Sequence, residues 1–219
     1  MEDTNKTIRP LEKEINDKKA AFESSASEDK KQKYAEGIAA VVATNIVGKA
    51  LQVGETAINF TLPNALGKKI TLYDALENGP VILMWYRGGW CPYCNMQLHY
   101  MQEMLPEFKK LGASLLAITP ETPDNSISTQ EKNNLEFEVL SDVDNVVGFQ
   151  YKVVFKLTDD VKEIYENGFG LSNFNGNDKG ELPLASTYII GQDKVIQYAF
   201  LDADYRNRAE PQDLLEHLK

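Results

Sequence analysis

The sequence predicts an α/β protein in which a central mixed sheet is flanked by helices and preceded by a two-helix extension. Three observations predict it. Val81-Ile82-Leu83-Met84-Trp85-Tyr86 is an unbroken apolar run, the pattern of a strand buried on both faces. A helical stretch and a second apolar run, Ala113 to Ile118, follow it, so the unit reads β-α-β with parallel strands. Ahead of that unit the first fifty residues carry apolar stripes at helical spacing, and the style of the sequence changes at Val53-Gly54.

In chain order, residues 8–22 place Ile8, Leu11, Ile15 and Phe22 on one helical stripe. Ser25 and Glu28 have capping-box spacing and predict a second helix, with Tyr34, Ile38, Val41, Val42 and Ile46 on its apolar face and an end near Gly48. This pair could pack on its own domain or on a second subunit of a homodimer, and both stay open. Residues 1–52 are therefore read as a helical extension and 53–219 as the α/β domain. Ile58 to Leu62 and Lys69 to Leu72 read as a hairpin around Asn64-Ala65-Leu66-Gly67. Asp74 and Glu77 have the spacing of a cap for a short helix, which Gly79-Pro80 stops.

Arg87-Gly88-Gly89 breaks the first buried strand. A helix to about Leu111 turns Leu98, Met101, Leu105 and Phe108 inward, with a kink expected at Pro106. After the second buried strand a helix starts near Asp124, Val139-Leu140 is a short strand, and two helical stretches run to about Tyr165. Residues 166–181, rich in Gly and Asn, read as a loop. Thr187 to Ile190 and Val195 to Phe200 form a hairpin, and Pro211 to Leu218 a terminal helix.

Composition narrows the function. The chain of 219 residues has a net charge of −10, which disfavours nucleic acid and anionic membranes as partners. Residues 1–36 carry only −1 of it, so the α/β domain presents the acidic surface. The N-terminus is too charged for a secretory signal, and the most apolar stretch, Ile38 to Val47, is too short to span a bilayer. The only two cysteines lie three residues apart and brace nothing, unlike a secreted disulfide scaffold. These observations predict a cytoplasmic protein, in which the sequons at Asn5 and Asn59 have no meaning.

Cys91-Pro92-Tyr93-Cys94 is the motif that carries chemistry. Cys91 follows a buried strand through two glycines and opens a helix, where unpaired amides and the helix dipole stabilise a thiolate. Pro92 suits a first helical position, and Arg87 adds a cation within reach. Zinc would need four ligands, but the chain has two thiols and two histidines, and His99 turns away from Cys94. Inert burial leaves the flanking Gly-Gly-Trp unexplained. Trp90 and Tyr93 could wall a substrate site, although core packing is the commoner use of such rings. Gly168-Phe169-Gly170 follows no clear strand and does not make a dinucleotide site.

Arg87-Gly88-Gly89-Trp90-Cys91-Pro92-Tyr93-Cys94-Asn95 resembles the signature of the peroxiredoxin-like branch of the alkyl hydroperoxide reductase/thiol-specific antioxidant (AhpC/TSA) family. The resemblance runs from Val53-Gly54-Glu55 to Asp204-Tyr205-Arg206-Asn207-Arg208-Ala209-Glu210-Pro211 and extends through the N-terminal helices. It implies a thioredoxin-like fold and chemistry on peroxides or disulfides. Laid on true peroxiredoxins, Cys94 falls at the peroxidatic cysteine, Cys91 replaces the active-site threonine, Arg87 replaces the proline, and the later arginine falls near Ala185. Laid on thioredoxins, Cys91 matches the exposed nucleophile, Cys94 the resolving thiol, and Ala185 the facing cis-proline.

The expected activity is a thiol-dependent peroxidase in which Cys91 and Cys94 cycle between dithiol and disulfide, with Arg87 as third site residue. Cys91, at the mouth of the turn, is expected to be the more acidic thiol. Thioredoxin, glutaredoxin or a small thiol would supply electrons, and no metal or organic cofactor is needed. A thioredoxin-like reductase of protein disulfides and a non-enzymatic redox-sensing module are the alternatives.

Overall fold

The computed structural model describes residues 9–219, so Ile8 and the Asn5 sequon lie outside the described residues. Helix α1 (Pro10–Ser25) begins on proline, whose missing N–H costs nothing at a first helical position. Its next two amides, of Leu11 and Glu12, donate to the Glu210 carboxylate at 3.4 and 2.9 Å. The far end of the chain thus satisfies the start of the first helix. Ser27, not Ser25, caps α2 (Glu28–Ala43), accepting from the Lys30 amide at 3.4 Å. That choice puts Glu28 and Asp29 in the first turn, where the helix dipole favours acids. Ser25 instead ends α1, its hydroxyl donating to the Ala21 carbonyl at 2.7 Å. On the predicted apolar face Val41 is buried but Val42 is 59% exposed, because neighbours on a helix cannot share one face.

A short α3 (Ile46–Lys49) leads to the predicted hairpin, β1 (Thr61–Pro63) and β2 (Lys69–Thr71), paired antiparallel. Helix α4 (Leu72–Leu76) starts directly after β2, so Thr71 takes the cap position and Asp74 lies inside the helix. The core unit follows as β3 (Val81–Trp85), α5 (Pro92–Lys110) and β4 (Ser114–Thr119), with β3 and β4 parallel as predicted. α5 is one uninterrupted helix through Pro106. Next come α6 (Pro123–Lys132), β5 (Glu138–Ser141), α7 (Val146–Gln150), β6 (Val154–Lys156) and α8 (Asp159–Phe169). Then α9 (Leu171–Asn175), β7 (Glu181–Pro183), β8 (Thr187–Ile190), β9 (Ile196–Phe200) and α10 (Pro211–His217) complete the chain.

Two further sequence expectations fail here. Residues 166–181 are not one loop: the end of α8, all of α9 and the start of β7 fall there, and the loop is confined to 176–180 and the single residue Gly170. Gly170, at φ 72°, is the joint that ends α8 and starts α9. Residues 154–156, expected to be helical, pair as β6 with β7.

The main sheet has the order β5-β4-β3-β8-β9, with β3, β4 and β5 parallel and β8 and β9 antiparallel to their neighbours. Along β3 and the residue after it, Val81, Leu83 and Trp85 face one core and Ile82, Met84 and Tyr86 the other, the period-two alternation of a strand. The first core includes Val41 of α2 with Val161 and Tyr165 of α8. The second includes Leu11 and Ile15 of α1, the inward face of α5, Leu214 of α10 and both cysteines. The helical pair therefore packs on its own domain and straddles both faces of the sheet. No helix among the described residues is long and apolar enough to cross a membrane.

Candidate active site

Strand β3 delivers the chain to a sharp turn at Arg87-Gly88-Gly89. Gly88 has φ 152°, and a Cβ there would fall 2.2 Å from Trp90 Nε1; one on Gly89 would fall 2.1 Å from Thr129 Oγ1. A larger residue at either position would have to displace Trp90 or Thr129, and at Gly88 the backbone itself favours glycine. The turn is tied down from two sides. The Gly89 amide donates to Glu121 Oε1 at 3.0 Å, and Asn95 Nδ2 donates to the Gly89 carbonyl at 2.8 Å. α5 then opens with Cys91 at its N-cap and Pro92 in the first turn, as the sequence predicts.

Both cysteines are free thiols, and both are buried, Cys91 at 1% and Cys94 at 0% exposure. The expectation of an exposed, more acidic Cys91 is therefore corrected. Cys94 Sγ accepts from the Arg87 backbone amide at 3.4 Å and from Arg208 Nη2 at 3.3 Å. Burial pushes the Cys94 thiol up, but the Cys91 hydrogen bond, the Arg208 and Arg87 cations and the Arg87 amide outweigh it and hold it well below the ordinary range. Burial and the hydrogen bond to Cys94 push Cys91 well above it. Of the two sulfurs, Cys94 is the one whose contacts favour a thiolate.

Arg87 acts on the motif differently from expectation. Its amide, not its guanidinium, meets the sulfur. The guanidinium is packed among rings: Nη2 donates to the Tyr165 hydroxyl at 2.6 Å, and the carbon centre lies 4.0 Å from the Tyr205 ring, 4.9 Å from Trp90 and 5.2 Å from Tyr165. Its Nε and Nη1 are buried without a hydrogen-bond partner among the described residues.

Sequence reasoning missed two groups. Arg208, 114 positions beyond Cys94, stands in the C-terminal stretch that carries the family resemblance, where nothing in the sequence points it at the motif. Its Nη1 donates to the carbonyls of Tyr205 and Asn207, which fixes its direction, while Nε is buried without a partner among the described residues. Glu121 follows β4 and is fully buried. Its carboxyl is pushed up to about 7, first by burial and then by the Cys94 charge, against the hydrogen bond from Gly89. The only sequence signal for Glu121 was its place just after a parallel strand, on the edge where α/β sheets carry their sites.

On the Cys91 side lies a cavity of about 280 Å³. Trp90, Tyr93, Tyr165, Phe169 and Tyr205 wall it together with Phe22 and Tyr34 of the helical pair. Trp90 stacks on Phe169 with centroids 4.5 Å apart. Trp90 and Tyr93 thus do line a space at the motif.

The profile of the AhpC/TSA family matches residues 53–199, two thirds of the sequence. The chain belongs to the AhpC/TSA family. Among curated proteins it is similar to the thiol-disulfide oxidoreductase ResA of Bacillus thuringiensis subsp. konkukian, 30% identical over 105 residues, covering 48% of this chain and 60% of that one. It is also similar to peroxiredoxin Bcp of Escherichia coli K12, 31% identical over 103 residues, covering 47% and 65%. The chain thus spans a little under two thirds of the length of these relatives. Among solved structures it resembles the peroxidoxin BcpB of Mycobacterium tuberculosis, with TM-score 0.61, 20% identity and coverage of 77% and 96%. A cysteine-to-serine mutant of PrxQ from Xylella fastidiosa gives TM-score 0.59, 18% identity and coverage of 77% and 95%. These likenesses show the fold, a thioredoxin-like fold of the peroxiredoxin kind. Arg208, Tyr205 and the helical pair lie outside the matched span; Arg208 meets Cys94, and Tyr205 and residues of the helical pair line the cavity beside the motif.

Proposed function

We propose that this protein is a thiol-dependent peroxidase that reduces hydrogen peroxide or organic hydroperoxides through a Cys91–Cys94 dithiol/disulfide cycle. One observation carries the reading. Cys94, the residue placed at the peroxidatic cysteine by the family resemblance, is the sulfur that Arg208 Nη2 and the Arg87 amide contact, a setting that favours its thiolate. The Cys94 thiolate attacks one peroxide oxygen, the O–O bond breaks, and the departing alkoxide or hydroxide takes a proton from solvent. Arg208 Nε, without a partner among the described residues, lies in the same guanidinium and can donate to the leaving oxygen. Cys94 is left as a sulfenic acid. The Cys91 thiol displaces its hydroxyl, the S–S bond forms and water leaves. Two external thiols, or one dithiol, then return the two electrons and leave as a disulfide. Because both sulfurs are buried, peroxide reaches Cys94 only as the turn or the Arg208 segment opens, so rates should be modest.

The similarity to ResA favours reduction of protein disulfides instead. Against it stands Cys91, which is 1% exposed and lines a cavity of about 280 Å³ that admits a small molecule but not the disulfide of a folded protein. A redox-sensing module would bind its partner through the helical arm, whereas α1 buries its apolar residues Leu11 and Ile15 in the core that holds the cysteines. Stopped-flow titration of reduced protein with hydrogen peroxide, followed by mass spectrometry, tests the peroxidase reading. Loss of two hydrogens per chain is expected, and protein that keeps two thiols in excess peroxide overturns it.

A further inference from the structure

The two sulfurs face different surroundings. Cys94 lies among Arg208, the Arg87 amide and the motif turn, and it does not line the aromatic cavity. Cys91 does line it. So do four cationic side chains: Lys18 of α1, Lys30 of α2, Arg87 and Arg206. No carboxylate among the described residues lines it, in a chain whose net charge is −10. Arg206 is paired with Asp204, but Lys18 and Lys30 form no ion pair among the described residues. The Arg87 guanidinium, 1% exposed and contributing to this wall, keeps its Nε and Nη1 donors without a partner among the described residues. Buried donors in that condition call for an acceptor.

We propose that this cavity binds a small thiol bearing a carboxylate on an apolar or planar body, and that this thiol reduces the Cys91–Cys94 disulfide by attacking Cys91. The inference rests on the dithiol/disulfide cycle proposed above. Aromatic walls accept the body of such a molecule, and the cations accept its carboxylate. A volume of about 280 Å³ suits a small molecule. A carboxylated hydroperoxide would match the same walls, but the stabilised thiolate that must attack it is on Cys94, outside the cavity.

The exchange chemistry runs the same way. The incoming thiolate forms a bond to Cys91 Sγ, the Cys91–Cys94 bond breaks, and the electron pair leaves on Cys94 Sγ. That sulfur is the better leaving group, since the more acidic thiol leaves faster. A second thiolate attacks the sulfur of the bound thiol in the mixed disulfide, releasing the small disulfide and the Cys91 thiolate, which takes up a proton. The helical pair gains a role from this assignment: Lys18, Phe22, Lys30 and Tyr34 build one side of the reductant site.

The test uses the full chain, oxidised with diamide so that it does not depend on peroxide reactivity. Reduction rates are measured with 4-(mercaptomethyl)benzoate, 3-mercaptopropionate and 2-mercaptoethanol, each corrected for its thiolate fraction. The benzoate should exceed mercaptoethanol by about tenfold or more, with mercaptopropionate between. Lys18→Glu/Lys30→Glu, at two exposed positions, should cut the benzoate-to-mercaptoethanol ratio several-fold, as should raised salt. Equal corrected rates for the three thiols, or a ratio unmoved by charge reversal in a variant with wild-type circular dichroism, overturns the proposal. A disulfide that forms with diamide but not with peroxide overturns the peroxidase reading alone.

Discussion

Arg208 Nη2 stands 3.3 Å from Cys94 Sγ, although 114 residues separate the two along the chain. The helix start and the Arg87 amide supply partial charges, whereas Arg208 supplies a full cation in contact with the sulfur. It enters from the segment between β9 and α10, which also sends Glu210 to the first turn of α1. The thiolate and the helical pair are therefore anchored by neighbouring residues of one segment.

Arg208→Ala should raise the Cys94 pKa, because it removes the one full cation in hydrogen-bond contact with the sulfur. Its rate of oxidation by peroxide at neutral pH should fall with the thiolate fraction. Arg87→Met should shift the profile less, because the amide that meets Cys94 remains. Iodoacetamide alkylation against pH reads both. A profile unchanged in Arg208→Ala would assign the thiolate to the helix start and the amide alone.

Glu121 makes stability depend on pH. Its folded pKa of about 7 lies above the ordinary carboxyl value, chiefly through burial, so the folded state holds a proton that the unfolded state releases. Stability should fall as pH rises from about 4.5 to about 7 and then level off, as far as this group controls it. Glu121→Gln keeps a carbonyl acceptor for the Gly89 amide and removes the charge. In urea denaturation the variant should match wild type near pH 4 and exceed it at pH 8. Equal midpoints at pH 8 would show that the carboxylate is not penalised by its site.

Glu210→Ala removes the acceptor for two orphan amides of α1 and should cost about 1–2 kcal/mol, the range of a lost helix cap. Glu210→Gln, with one carbonyl left, should cost less. Urea unfolding at neutral pH gives both values. An unchanged midpoint in the alanine variant would mean that solvent replaces the carboxylate there.

The parts of the fold legible in the sequence were the local ones. The β3-α5-β4 unit and the helix start at Cys91 follow from an apolar run, two glycines and a proline within some forty residues. Residues 166–181 misled because Gly170 marks a joint between helices as readily as a loop. The site was legible only as far as its own segment. Arg208 and Glu121 reach the motif through the packing of the sheet, and no spacing along the chain announces that. The acidity of the two thiols was misjudged for the same reason. Position at a helix start favours Cys91, but the distant cation contacts Cys94.

The order of reaction of the two thiols follows from these contacts and can be read directly. Cys94 carries the thiolate because Arg208, the Arg87 amide and the Cys91 thiol all stabilise it, while Cys91 is pushed up by burial and by giving that hydrogen bond. Cys91→Ser retains a hydroxyl donor toward Cys94 and removes the resolving sulfur. It should form a sulfenic acid on Cys94 that persists and is captured by dimedone. Cys91→Ala, without the donor, should form it more slowly at neutral pH. Cys94→Ser leaves Cys91 buried in an unfavourable setting for charge and should label slowest of the three. Its alkylation profile should also have the highest midpoint. If Cys94→Ser instead captures dimedone after peroxide while Cys91→Ser does not, Cys91 is the attacking thiol, and the contacts at Cys94 serve only to make it a good leaving group in disulfide exchange.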